Sequence, residues 1–419
     1  MTIPLGRLAY INPPVPEFLA DPEAAITFMP LETIWADGKE DCSRRKIAQE
    51  VASGYTRFRN CDVLMPKITP TFEAGRVLAT QIDTHIGAAT TEVHVLRPRN
   101  GTDPRFLAYV CRSQPFIQEG ASSLQGVGNL RRVPSDFIAK FPVVVTDSET
   151  QQVVADYLDV HVAGLNSMVS EQRSLVTMLR ERRGAVRTRL ATLGLDADVS
   201  CRSTSLPWLR EVPEHWDVVP LLSVARLESG HTPSRSRPEL WEDVYIPWIS
   251  LNDLSALAAS EYITETSNLI SDAGIAASSA RLLPAGTVVL SRDATVGRTA
   301  IMAKPMATSQ HFADFVCGQR LSPRYLRLLF SDAMQPFFNS LTNGSTIKTI
   351  GMGNVKSFRI PLPPRDEQDA VVEAAEAQTS RIDELIKESE CLIALSLERR
   401  FALITAAVTG QIPIEEMRK

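Results

Sequence analysis

The segment Asn12-Pro13-Pro14-Val15 comes nearest to a catalytic motif. An Asn-Pro-Pro turn followed by an aromatic residue can hold a base turned out of a duplex by stacking on it. Here the fourth residue is Val15, and no glycine-rich cofactor loop lies upstream or downstream, so base methylation by this chain is not expected. Gly126-Val127-Gly128 is an isolated glycine pair that reads as a turn rather than a nucleotide cradle. His85, His94, His161, His215, His231 and His311 form no HxxxH or HExxH, which argues against metal ligation. Cys42, Cys61, Cys111, Cys201, Cys317 and Cys391 form no CxxC, which argues against a zinc ribbon and a disulfide framework. No carboxylate–lysine cluster of a nuclease is present.

What remains is arginine set among small hydroxyl and amide residues. Arg44-Arg45-Lys46 and Arg131-Arg132 stand in the first part of the chain, and between 97 and 140 seven basic residues face three acidic ones. The second part carries Thr232-Pro233-Ser234-Arg235, then Ser291-Arg292 with Arg298, and Ser345-Thr346-Ile347-Lys348 beside Asn343-Gly344. Cations with hydroxyls and turn amides suit phosphate, and Arg, Asn and Gln suit base edges in the major groove. A single surface arginine is more often only solvated. Three such loops in one domain shift the reading toward nucleic acid. The candidate DNA-contacting residues are therefore Arg44, Arg45, Arg131, Arg132, Thr232, Ser234, Arg235, Ser291, Arg292, Arg298, Ser345, Thr346 and Lys348. A net charge of −5 counts mildly against such a partner, but a basic face can coexist with an acidic remainder.

The elements that would position these residues come from a duplication. Laying Phe141 on Phe358 brings Gln151 onto Gln368, Val154 onto Val371, Glu181-Arg182-Arg183 onto Glu398-Arg399-Arg400 and Thr192 onto Thr409 without a gap. Upstream, Arg131 meets Lys348. Asp103-Pro104-Arg105-Phe106-Leu107 faces Ser322-Pro323-Arg324-Tyr325-Leu326 after a drift of a few residues. Both repeats end in about forty-five proline-free residues that open on acids, as a helix start should. Val154, Leu158, Leu165, Met168, Leu175, Leu179 and Val186 are spaced as a heptad seam, with Val371, Ala375, Ile382, Leu385, Leu392 and Leu403 as the second copy. His161 and Gln172 interrupt the first seam as polar layers. The expected arrangement is an antiparallel two-helix rod with a mixed α/β domain near each end and a pseudo-twofold across its middle. The alternative is that each helix covers its own domain's sheet. Strands are expected at 93–96, 141–145, 245–249 and 287–290, and short helices over 104–114 and 323–334.

At 419 residues, with 44% hydrophobic and 22% charged residues, the chain is globular and long enough for several domains. No apolar run reaches the ~18 residues needed to cross a bilayer, and the first residues do not read as a secretory signal. A soluble, cytoplasmic protein is expected. The expected divisions are 1–147, a helix over 148–200, 201–364, and a helix and tail over 365–419.

Two stretches resemble the specificity (S) subunit of Type I restriction–modification systems. One is Pro361-Leu362-Pro363-Pro364-Arg365-Asp366-Glu367-Gln368, leading through the long helix to Thr405-Ala406-Ala407-Val408-Thr409-Gly410-Gln411-Ile412. The other is Val212-Pro213-Glu214-His215-Trp216 with Gly230-His231-Thr232-Pro233-Ser234 and Ile246-Pro247-Trp248-Ile249-Ser250. The match is loose over 1–100, and Gly184-Ala185-Val186-Arg187-Thr188-Arg189 is a degenerate copy of the second helix end. The resemblance implies an α+β fold of two target-recognition domains and two antiparallel spacer helices. It also implies a non-catalytic, DNA-binding role on a bipartite site, with each domain reading one half. Double-stranded DNA, two modification (M) subunits and, where one exists, a restriction (R) subunit are the implied partners. They would bring S-adenosylmethionine, ATP and magnesium, and this chain would bind no cofactor. A two-domain coiled-coil scaffold for proteins is the competing reading. The acidic balance favours it and the basic loops oppose it.

Overall fold

Each long helix starts where the prolines stop. The first is Ser148–Leu193 and the second Arg365–Val408. The Asp147 carboxylate accepts the Thr150 amide at 2.7 Å, and that bond holds its pKa below the ordinary value. Asp366 and Glu367 supply charge at the second helix start. The computed structural model describes residues 1–35, 41–128, 130–342 and 348–418. Val154, Leu158, Leu165, Leu179, Val371 and Ala375 turn inward as the heptad spacing requires, but in the middle of both helices the buried line moves one position off the expected seam. In the first it runs through Val162, Leu165, Val169, Gln172, Val176, Leu179, Arg183 and Leu190. Met168 and Leu175 are exposed, and His161 points outward against Tyr157, with ring centroids 4.2 Å apart. In the second helix Ile386 and Ile393 take the places expected of Leu385 and Leu392. The reason is packing type: β-branched residues fill one seam position and leave the longer Met and Leu outside.

The chain divides into two compact units, Met1–Leu175 with the chain from Glu388 on, and Val176–Lys387. Each unit therefore owns part of both helices. In the first, the Arg400 guanidinium donates to Asn166 Oδ1 at 2.8 Å, and Ser396 Oγ meets Met168 Sδ at 3.4 Å, an antiparallel pairing. In the second, Arg183 pairs with Asp383 at 3.1 Å, while Leu190 and Ala191 share a core with Val371, Val372 and Ala375.

The front pieces share the order of four strands in one sheet and a parallel pair in the other. In the first unit one sheet has the order Ala9–Ile11, Val93–Pro98, Val63–Pro66, Leu78–Ala79. In the second the order is Ala225–Glu228, Phe312–Cys317, Val288–Ser291, Thr299–Met302, Tyr262–Ile263. A second sheet in each contains one parallel pair, Ala25–Met29 with Ile86–Ala89 and Ile246–Ile249 with Ala307–Thr308. A two-stranded ribbon precedes each long helix, Thr2–Pro4 with Pro142–Val144 and Asp217–Pro220 with Arg359–Leu362. The hairpin Cys201–Leu206 with Leu209–Pro213 was not foreseen. The helix expected over 323–334 is Pro323–Leu328 followed by a π-turn, Leu329–Ala333, that turns Phe330 onto Phe315 and Phe338.

One buried glutamine in each unit ties these parts together. Gln368 Oε1 accepts the Ser322 amide at 2.7 Å, and Nε2 donates to the carbonyls of Arg320 at 2.8 Å and Pro363 at 2.9 Å. Gln151 Oε1 accepts the Asp103 amide at 3.0 Å, and Nε2 donates to the Thr146 carbonyl at 3.2 Å. Each side chain joins the first turn of a long helix to the start of a short one, Pro104–Arg112 or Pro323–Leu328. The next layer also matches: Arg105 on Asp159 at 2.8 Å, and Arg324 on Glu376 at 2.6 Å. Gln368→Ala leaves three backbone groups without this partner, two of them in buried bonds, and should lower the stability of the second unit by about 2–4 kcal/mol in urea unfolding. A loss below about 0.5 kcal/mol would contradict the clamp.

Asp314 lies fully buried on the strand Phe312–Cys317, with Thr308 Oγ1 donating to its Oδ2 at 2.5 Å. Burial pushes its pKa up to about 8, so the folded protein holds it protonated at neutral pH. The native state binds this proton more tightly than the unfolded chain. Its stabilising effect is full below about pH 4, where the unfolded aspartate also holds its proton, and is lost as pH rises to about 8. Asp314→Asn should flatten that decline and raise the midpoint of thermal unfolding at pH 8 but not at pH 4. Parallel melting curves for the two proteins across this range would refute it.

Candidate nucleic-acid interface

In the second unit, three strand-end loops meet at one end of the larger sheet. Asp293 is the hub: His311 Nδ1 donates to its Oδ2 at 2.8 Å, and Thr349 Oγ1 donates to its Oδ1. Arg292 donates to the Gln310 carbonyl at 2.9 Å and faces the Ile350 carbonyl at 3.4 Å. The Ile350 amide returns to Arg292 O at 2.8 Å. Thr232 Oγ1 donates to Gln310 Oε1 at 2.7 Å, bringing in the loop after Ala225–Glu228. That loop passes so close to the sheet that a Cβ on Gly230 would lie 1.7 Å from the Thr308 carbonyl oxygen, which glycine alone tolerates. Ser291 closes the middle loop, donating to Thr295 O at 2.6 Å and accepting the Arg298 amide at 2.9 Å.

The first unit builds the same end from other residues. Lys67 takes the place of Arg292: its amide donates to Glu92 O, and its carbonyl accepts the Val133 amide at 2.8 Å, as Arg292 does with His311 and Ile350. Arg132 stands at the Thr349 position and grips Glu92 with two bonds of 2.8 and 2.9 Å. That pairing holds the Glu92 carboxyl below its usual pKa. The Asn-Pro-Pro segment is a strut here. Asn12 sits at φ 51°, and its Oδ1 accepts the Val95 amide at 3.0 Å. His94 Nε2 lies 2.9 Å from the Val133 carbonyl, which can only accept, so Nε2 carries the proton and Nδ1 accepts from Asn12 Nδ2 at 3.0 Å. Burial lowers the His94 pKa, in keeping with this neutral ring.

The residues predicted from sequence fall into three groups. Arg131, Lys348, Arg235 and Arg298 are exposed and have no ion-pair partner among the described residues. Arg44, Arg45 and Arg132 already face carboxylates: Glu32 and Asp41 for Arg44, Asp83 at 2.7 Å for Arg45, and Glu92 for Arg132. Arg44 and Arg45 adjoin or begin the outer strand Arg45–Ile47 of the other sheet and do not join the loop network. Thr232, Ser291 and Arg292 hold the loops in shape, and Ser234 Oγ bonds Ser236 Oγ at 2.8 Å. Ser345 and Thr346, with Gly344, lie outside the described residues. Sequence reasoning missed Gln310, His311 and Lys67. The first two form a polar insert between apolar strands, and Lys67 aligns with Arg292 only after the register drifts. Among the described residues no three His, Cys, Asp or Glu side chains are placed to hold a metal ion. Among them, too, no helix is long and apolar enough to cross a membrane.

Residues 213–390 match the Type I restriction modification DNA specificity domain. The chain is 28% identical over 189 residues to the MjaIX Type I restriction enzyme specificity subunit of Methanocaldococcus jannaschii, covering 45% of this chain and 43% of that one. It is 31% identical over 221 residues to the EcoAI specificity subunit of Escherichia coli, covering 51% of this chain and 36% of that one. It thus spans less than half the length of these curated relatives. In fold it is similar to a chain solved in work on complex assembly and conformational transition of the type I R-M system, with a TM-score of 0.70, 17% identity and 98% of both chains covered. It is also similar to the crystal structure of the HsdS subunit from Thermoanaerobacter tengcongensis, with a TM-score of 0.50, 15% identity, and 98% and 97% covered. Over residues 213–390 the chain thus carries the Type I restriction modification DNA specificity domain, and in sequence and fold it is similar to specificity subunits of Type I restriction enzymes.

Proposed function

We propose that the chain reads a bipartite, asymmetric DNA site, one part with each unit, and directs methyltransferase subunits to it. Where a restriction subunit exists, it would be directed there as well. The observation that carries this reading is the repeated loop end. The backbone bonds at Lys67 and Arg292 are the same, while the side chains around them differ. A common scaffold with different tips is what two readers of different sequences require. The chain itself is proposed to be non-catalytic and cytoplasmic and to bind no cofactor. S-adenosylmethionine, ATP and magnesium would belong to its two modification subunits and any restriction subunit. The divisions at 1–147, 148–200, 201–364 and 365–419 are proposed as reader, spacer, reader, and spacer with tail.

The charge pairing separates grips from struts. Arg131→Ala and Lys348→Ala, each removing one phosphate contact, should weaken binding on specific and unrelated duplexes alike and lower the log–log salt slope by about 0.9. Arg45→Ala and Arg132→Ala remove charges already matched by Asp83 and Glu92 and should change the slope by less than about half of that. Binding isotherms of the complex with modification subunits across a potassium chloride series measure both. Equal slope changes for all four variants, or none, would contradict the assignment.

A further inference from the structure

Beside the loops, each unit has a cleft built on the same frame. It lies between the short helix after the sheet, the sheet edge and the long helices. Asp159 in the first unit corresponds to Glu376 in the second, and Arg400 to Arg183. Both clefts are lined by arginines, at partly different positions: Arg112 and Arg173 belong to the first alone. Leu397 and Ala108 line the first cleft, and Arg180 and Arg327 replace them in the second. The second cleft, of about 530 Å³, is thus lined by five arginines and three carboxylates.

Those carboxylates are already engaged. Arg187 holds Asp332 at 2.9 Å, and Arg324 holds both Glu261 at 2.8 Å and Glu376 at 2.6 Å. Arg327 is left with one bond, to the Ser260 carbonyl at 3.2 Å, and its buried Nε–H finds no acceptor among the described residues. A buried guanidinium donor without a partner is costly, and an anion would satisfy it. Arg298 lies on the rim, exposed and without an ion-pair partner among the described residues. It closes the loop that begins at Arg292, and Gln335 Nε2 pins that loop by donating to Gly297 O at 2.8 Å. The cleft is therefore continuous with the proposed reading end.

We propose that this cleft of the second unit is a phosphate site that grips the DNA backbone beside the reading loops, with Arg298 on the rim and Arg327 deeper in. The proposal rests on the DNA-binding reading above. The test uses the complex with modification subunits, a duplex carrying the recognised site and an unrelated duplex, titrated across a potassium chloride series. Binding of both duplexes by the unaltered complex tests that reading alone. Given such binding, Arg298→Gln and Arg327→Gln should each weaken both duplexes by the same factor and lower the salt slope by about 0.9, while Arg298→Lys keeps the slope. Arg298 is exposed, so its variant remains informative if Arg327→Gln fails to fold. Three results would overturn the proposal. One is an unchanged slope for Arg298→Gln. Another is loss of subunit assembly with the DNA slope intact, which would make an acidic protein segment the occupant. The third is an unchanged slope together with loss of the thermal stabilisation that inorganic phosphate gives the chain at constant ionic strength, which would make a free anion the ligand.

Discussion

A primary amide has one acceptor and two donor hydrogens, and Gln368 uses both kinds of group on the backbone of Ser322, Arg320 and Pro363. The end of a strand, the start of a short helix and the first turn of a forty-four-residue helix all converge on that side chain. Gln151 does the same in the first unit with one donor bond fewer. Because unpaired backbone groups are costly when buried, the glutamine fixes where each long helix leaves its domain. The paired arginines Arg105 and Arg324 then hold the next turn of helix against the short helix. Everything toward the far end of the sheet is free to vary so long as this root is kept.

That freedom is visible at the loops. The backbone bonds at Lys67 and Arg292 are conserved between the units, while the hub around them is an arginine–glutamate pair in one and an aspartate–histidine–threonine group in the other. Charge follows the same division. Arginines that shape loops are matched by carboxylates or backbone carbonyls, and the cations left for a partner are those without such matches. A net negative chain can therefore present local positive faces.

The duplication and the long helices were legible in the sequence because they depend on residues with narrow roles: the two glutamines, the proline boundaries and the heptad spacing. Part of the seam was placed one residue off, since Met168 and Val169 are both apolar and only packing decides between them. Upstream of Asp103 the repeat was legible only as an echo, Asp62-Val63-Leu64 against Thr287-Val288-Val289, and the strand order was not readable. Sheets tolerate almost any β-branched or aromatic alternation, and loop insertions shift the register from 217 at Arg131 to 225 at Lys67 (matching Lys348 and Arg292). Arg131 and Lys348 were found because they flank the aligned segment. Gln310 and His311 were not, because their meaning comes from Asp293 and Thr232, eighteen and seventy-eight residues away. Pairing was equally hidden: nothing in Arg44-Arg45 says that Asp83 will neutralise one of them.

The central claim is that two units on one scaffold read separate parts of one site. It is tested most directly by selecting bound duplexes from a randomised library with the complex of this chain and its modification subunits, and repeating the selection with Gln310→Ala. The account predicts two short motifs separated by an unread gap of fixed length, with the variant relaxing one motif and leaving the other and the gap unchanged. A single continuous motif, or relaxation of both motifs together, would contradict it.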